Sequence, residues 1–171
     1  MELKEVLQKR ISTRAFLDKT IDETLLREIV TAALYAPVGL KKYSEMLITV
    51  VTDKRILTEI DETCRRIPDV SPLHGAPALI IVSASTEDED LRNQNAACMV
   101  ENMLLAATNL NLAGLYIKCI CPPLRRNQDL KKSLHIPSGF VPLASAAIGY
   151  PVTDTELRES PQNNVTPVVF I

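Results

Sequence analysis

The residue pattern predicts a single α/β or α+β domain, with a mixed central β-sheet flanked by helices. Three observations carry this. Residues 76–85, "APALIIVSAS", form a continuous apolar run of strand length, the pattern of a strand covered on both faces. Residues 96–110 are apolar nearly all round, as in a helix that is buried or packed on a second subunit. The order of segments is helices first, then strands alternating with helices.

Each element has a local reason. Leu3, Val6 and Leu7 repeat at helical spacing within residues 2–9. Thr20 and Glu23 fit a capping box ahead of the stripe Leu25, Leu26, Ile29, Val30 and Ala33, and Pro37 ends that helix. "MLITVV" (46–51) reads as a strand, with Asp53 capping the helix that follows. "EDED" opens the long apolar helix, where the helix dipole favours acidic residues, and Gly114 stands in its C-cap region. "LYIKCI" (115–120) reads as a short strand, "PPLRRNQDLKKSL" as one helix with Pro near its start, and "LASAAIGYP" (143–151) as a further strand. The tail "NNVTPVVFI" is β-prone but carries Pro167, which suits an edge strand added to a partner.

Composition narrows the function classes. With 46% hydrophobic and 23% charged residues, the chain fits a globular domain rather than a disordered one. A net charge of −2 argues against broad attraction to nucleic acid or anionic membrane, so cations must work locally. No run of about 18 apolar residues marks a membrane span, and "MELKEVLQKR" lacks a signal-peptide core; a cytoplasmic protein is expected. Cys64, Cys98, Cys119 and Cys121 then read as thiols, packed as small buried hydrophobes, and no metal site is expected.

The chemistry centres on "KRISTRAF". In an extended segment, alternation sets Arg10, Ser12 and Arg14 on one side, with Ile11, Thr13 and Ala15 on the other. Two guanidiniums around a hydroxyl can cradle one anionic group such as a phosphate, or simply form a solvated basic edge. No glycine-rich phosphate loop occurs, so a nucleotide would be held by side chains.

These residues resemble the FMN-dependent nitroreductase family, in which an R-x-S-x-R-x-F motif precedes the first long helix. The Ala36-Pro37-Val38-Gly39 loop is similar to the family's A-P-S-G loop. "GAPALIIVSAS", "AACMVENMLLAATNLNLAGLYI" and "HIPSGFVPLASAAIGYP" are similar, in order, to its central strand, its long dimer-core helix and its closing segment. The resemblance spans most of residues 5–151. It implies an α+β homodimer with FMN in the subunit interface, the C-terminal strand being exchanged to the partner. It further implies that Arg10, Ser12 and Arg14 hold the phosphate and ribityl end, with Arg14 reaching toward the flavin pyrimidine. Pro37, Val38 and Gly39 would pass along the flavin from the partner subunit, and Gly114, Leu115 and Tyr116 would line the other side of the ring. The implied activity is reduction of nitro compounds, quinones or similar planar acceptors by NAD(P)H in a ping-pong cycle, the chemistry residing in the flavin rather than in a catalytic side chain.

The departures are specific. The family loop commonly runs A-P-S-G-x-N-x-Q-P-W, whereas this chain has Val38 for Ser, Lys41 for Asn, Tyr43 for Gln and Ser44-Glu45 for Pro-Trp. Lys41 could still donate to flavin O2 or a ribityl hydroxyl. The sequence ends at Ile171 without the basic stretch many members carry, and Arg158 reads as a surface residue. Asn111 replaces a glycine in the turn after the long helix, a mild change since Asn tolerates left-handed backbone. His74 is a candidate substrate contact. The altered loop also leaves room for a second expectation, a non-catalytic binder of flavin or another planar ligand on the same fold.

Overall fold

A computed structural model of the chain describes residues 1–154, 156–158 and 166–171. Its elements are α1 (Leu3–Lys9), α2 (Glu23–Leu34), two 3-10 turns (Gly39–Lys41 and Tyr43–Glu45), β1 (Met46–Val51) and α3 (Lys54–Cys64), then β2 (Ala78–Ala84), α4 (Glu89–Asn109), β3 (Ala113–Ile117), α5 (Cys121–Arg126), α6 (Gln128–Ser133) and β4 (Val141–Gly149).

The sheet runs β1-β2-β4-β3, so the two most apolar strands lie inside and are covered on both faces. Period-two alternation divides β2 between two cores. Ala78, Ile80, Val82 and Ala84 pack with α2 and α4 on one face. Leu79 and Ile81 pack with α3, α5 and α6 on the other. This double burial is why residues 76–85 show no polar alternation.

The expected mixed sheet needs correction. All three strand pairings are antiparallel. Among the described residues the parallel contact comes from a single bridge, Ser12 to Gly114, where the N-terminal segment runs along the β3 edge. One-residue pairing leaves no strand there, but it fixes residues 10–14 against the sheet.

Several local expectations also shift. Asp22 rather than Thr20 caps α2, accepting the Thr24 amide at 2.8 Å; a carboxylate beside the helix start is favoured by the exposed amides and the dipole. The expected helix over "PPLRRNQDLKKSL" breaks at Asn127, which leaves helical backbone and caps α6 through the Leu130 amide. The chain leaves α4 through Asn111 in the left-handed region (φ 57°), so Gly114 is not its cap but a residue of β3. Gly114 lacks a side chain because a Cβ would sit 2.5 Å from Leu104 Cδ2. α4 is mostly buried within its own chain by α2 and the sheet, which leaves Glu89 and Asp90 at its start and a polar strip of Gln94, Cys98, Glu101 and Asn109 exposed. A second subunit is therefore not required to bury it.

Of the tail, residues 163–165 lie outside the described residues. Residues 166–171 form no strand, and Val168, Val169, Phe170 and Ile171 are exposed. Among the described residues, no helix is long and apolar enough to cross a membrane.

Candidate functional site

The segment "KRISTRAF" runs along the β3 edge. Ser12 bridges Gly114, and the Thr13 amide donates to the Gly114 carbonyl at 3.1 Å. Ile11 and Thr13 face a cavity beside Leu112 and Ala113. Arg14 faces a different one, beside Leu115 and Tyr116. The N-terminal motif and the β3 residues singled out from the sequence thus meet along one sheet edge.

Arg10 sits close to the middle of α4, its Nε 3.9 Å from a carboxylate oxygen of Glu101. That is a long, half-exposed ion pair and holds the guanidinium weakly. Its backbone is held better. Arg158, read from the sequence as a surface residue, donates from Nε to the Gln8 carbonyl at 2.8 Å and from Nη2 to the Leu7 and Arg10 carbonyls at 3.0 and 2.7 Å. Those are among the carbonyls that α1 leaves unpaired at its end. The third nitrogen, Nη1, is buried with no hydrogen-bond partner among the described residues. An orphaned guanidinium nitrogen against the Arg10 backbone fits an anion in this cradle, as a phosphate would supply.

The cavity at Arg14 has a volume of about 390 Å³. Tyr116, Leu115, Ile67 and Val70 give it apolar walls, and Arg66, Lys118 and His74 join Arg14 in supplying polar groups. Burial and the nearby Arg14 guanidinium hold His74 below its ordinary pKa, opposed by Asp61, so it is a neutral imidazole at pH 7. Burial pushes the Tyr116 phenol up, so it remains a neutral donor. His74 has left-handed backbone (φ 52°) just ahead of Gly75, which aims the turn between α3 and β2 at β3. The sequence named His74 through its loop position, while Arg66 and Lys118 gave no signal because their neighbours come from distant segments.

The 37–41 loop lies elsewhere. Its Gly39 amide donates to Asn95 Oδ1 at 2.9 Å, and a Cβ on Gly39 would sit 2.3 Å from Leu91 Cδ1. It is therefore pinned to the first turns of α4, whereas Met1 and Gly114 lie by its last. From Asn95 to Asn109 the helix rises about 21 Å. Val38 is buried, Pro37 is exposed, and Leu40 and Lys41 are exposed with left-handed backbone (both φ 56°). One chain thus holds two separate halves of the expected site.

The thiols are mixed in burial. Cys64 and Cys121 are buried, and burial pushes both thiols up to about 12, which keeps them protonated and inert. Cys119 is half-buried and Cys98 exposed, contrary to the expectation of four buried thiols. Among the described residues no group of three or more His, Cys, Asp or Glu side chains is arranged to hold a metal ion.

This architecture has close counterparts. The chain aligns over its full length with a nitroreductase with bound FMN from Bacteroides fragilis, with a TM-score of 0.86 and 26% identity, covering 100% of that chain as well. It aligns with another nitroreductase with bound FMN, from Desulfitobacterium hafniense, with a TM-score of 0.83 and 22% identity over 99% of this chain and 100% of that one. The fold is therefore the nitroreductase fold. Residues 68–150 match the model of the Nitroreductase family. A provisionally named NADH dehydrogenase/NAD(P)H nitroreductase of Methanothermobacter thermautotrophicus is 26% identical over 93% of this chain and 82% of its own length. A relative of the same name from Archaeoglobus fulgidus is 27% identical over 93% of this chain and 91% of its own. The family that the N-terminal and closing motifs resemble is the one the comparisons return, and the chain is nitroreductase-like in sequence as in fold.

Proposed function

We propose that the chain is an FMN-dependent oxidoreductase that uses NAD(P)H to reduce nitro compounds, quinones or similar planar acceptors. The observation that carries this is the Ser12–Gly114 bridge, which fixes residues 10–14 along β3 and sets Arg14 beside the apolar wall of Leu115 and Tyr116. The unpartnered Arg158 Nη1 beside Arg10 supports an anion at one end of that segment.

In this reading Arg10 and Ser12 hold the FMN phosphate and ribityl end, and Arg14 holds the pyrimidine end. Leu115 and Tyr116 keep water from one ring face. Pro37, Val38, Gly39 and Lys41 belong to a second subunit's contribution, since within one chain they lie toward the opposite end of α4. A homodimer with two interface sites follows, and the exposed apolar residues Tyr35, Leu40 and Phe170 are available to it. The chemistry FMN supplies when bound is hydride transfer from NAD(P)H and reduction of a flat acceptor in a separate half-reaction. Arg14 stabilises negative charge at that end of the site, and Tyr116 can donate a proton in a hydrogen bond without losing it. No side chain has to act as acid or base.

The test is a single purified sample. A flavin absorbance bleached by NADH or NADPH and restored by a quinone is the expected result. A colourless protein that takes up no added FMN would sink the reading. Bound flavin that neither nucleotide reduces would favour the non-catalytic binder, whose support is the strained Leu40–Lys41 backbone. Sedimentation as a monomer at micromolar concentration would remove the interface site.

A further inference from the structure

The cavity lined by Arg14 carries more positive charge than holding a cofactor requires. Arg66 and Lys118 stand on it with Arg14, coming from the α3–β2 connection and the end of β3, and among the described residues none of its lining is acidic. In a chain of net charge −2, such a concentration of cations is local rather than compositional. The Asp61 carboxylate, which acts on His74, is already engaged by Ser71, by Arg65 at 2.7 Å and by the Leu73 amide at 3.3 Å. It is therefore in no position to neutralise Arg66 or Lys118. The remaining walls, Ile67, Val70, Leu115 and Tyr116, are apolar and suit a flat ring.

We infer that this cavity takes the electron acceptor and selects acceptors with an anionic group, such as an aromatic carboxylate, with Arg66 and Lys118 as the specificity-determining residues. The inference deepens the oxidoreductase reading and rests on it. For a nitro acceptor the balance is R–NO2 + NAD(P)H + H⁺ → R–NO + NAD(P)⁺ + H2O. Two electrons and one proton come from the nucleotide hydride and one proton from solvent. The anionic substituent takes no part in that balance. It docks the ring by charge-assisted hydrogen bonds while Ile67 and Val70 cover the face turned away from the flavin.

The same cations could instead meet the phosphates of NAD(P)H, and the test separates the two sources. The FMN-loaded protein is titrated calorimetrically with benzoate and with benzamide, which share a ring and differ in charge. Benzoate should bind about tenfold tighter, and Arg66→Gln and Lys118→Gln should each weaken benzoate by about three- to tenfold without affecting benzamide. In turnover, the half-saturating concentration of 4-nitrobenzoate should rise in both variants, with that of NADPH unchanged. Equal affinity for benzoate and benzamide would overturn the inference. A shift confined to NADPH would assign the cations to the nucleotide and overturn it too, as would loss of FMN from both variants at unchanged benzoate affinity. Should the purified protein hold no flavin, the oxidoreductase reading fails, while the benzoate titration still decides whether the cavity selects anions.

Discussion

The Arg158 guanidinium donates to the Arg10 carbonyl at 2.7 Å across 148 residues of sequence. One side chain near the C-terminus thus sets the position of the first residue in the proposed phosphate cradle. Arg10→Ala should weaken FMN retention on the order of tenfold to a hundredfold, the worth of a charge-assisted phosphate contact of ~1.5–3 kcal/mol. Its effect on stability should be small, because the ion pair to Glu101 is long and half exposed. Arg158→Ala should lower both retention and melting temperature, since three carbonyls lose their donor. Flavin occupancy after dialysis and a thermal melt distinguish the two. Equal occupancy in Arg10→Ala and the parent would rule out the cradle.

The 37–41 loop depends on Asn95. Its Oδ1 accepts the Gly39 amide at 2.9 Å in a buried setting, so Asn95→Ala should cost about 1–3 kcal/mol, the penalty of an unpaired buried donor. Gly39→Ala should shift the loop, because its new Cβ would force Leu91 to move. Denaturant midpoints and faster exchange of the Gly39 amide would register both effects. Unchanged exchange in Asn95→Ala would mean that the loop is held some other way.

Lys41 sits at φ 56°, where Asn is tolerated and a long side chain is strained. Lys41→Asn should therefore raise the melting temperature slightly, contributing on the order of 1 kcal/mol. In the holoprotein it should also lower the flavin midpoint potential, by about 20 mV if ~1 kcal/mol of charge interaction survives screening. A potential unchanged within error would leave Lys41 in solvent.

His74 gives a pH signature with a definite sign. Burial and Arg14 hold its folded pKa below the ordinary 6.5. As pH falls through 6.5 the unfolded chain binds this proton first, so stability falls, and the loss levels off once pH is below the folded value. His74→Asn keeps a residue suited to φ 52° and removes the titration. Stability measured from pH 7.5 to 5 should drop more in the parent than in the variant. Superimposable profiles would show that the His74 proton is bound alike in both states.

Local signals in the sequence foretold the elements well where one residue decides. Asp53 caps α3 as expected, accepting the Arg55 amide, and the unbroken apolar run of β2 reports burial on both faces. The errors arose where two local signals compete or a distant segment intervenes. Asp22 displaced Thr20 as a cap, Asn127 split a helix that periodicity alone would continue, and the mixed sheet reduced to one bridge at Ser12. At the site, the separation of Arg14 from Ile11 and Thr13 could be read because alternation is a local property. Arg158, Arg66 and Lys118 could not, because their partners lie far away in the chain.

The length of α4 has a genetic consequence. Each chain carries the glycine loop at the first turns of this rod and the arginine segment from its middle onward, so a dimer would build each site from unlike parts. Two defective chains, Arg10→Ala and Gly39→Ala, should then rescue one another when unfolded and refolded together. In a mixed pair one site collects both lesions and the other collects none. Equal mixing makes half of the dimers mixed, each with one sound site, so a quarter of the sites should be sound, where neither parent alone has any. Recovery of none would confine each site to a single chain.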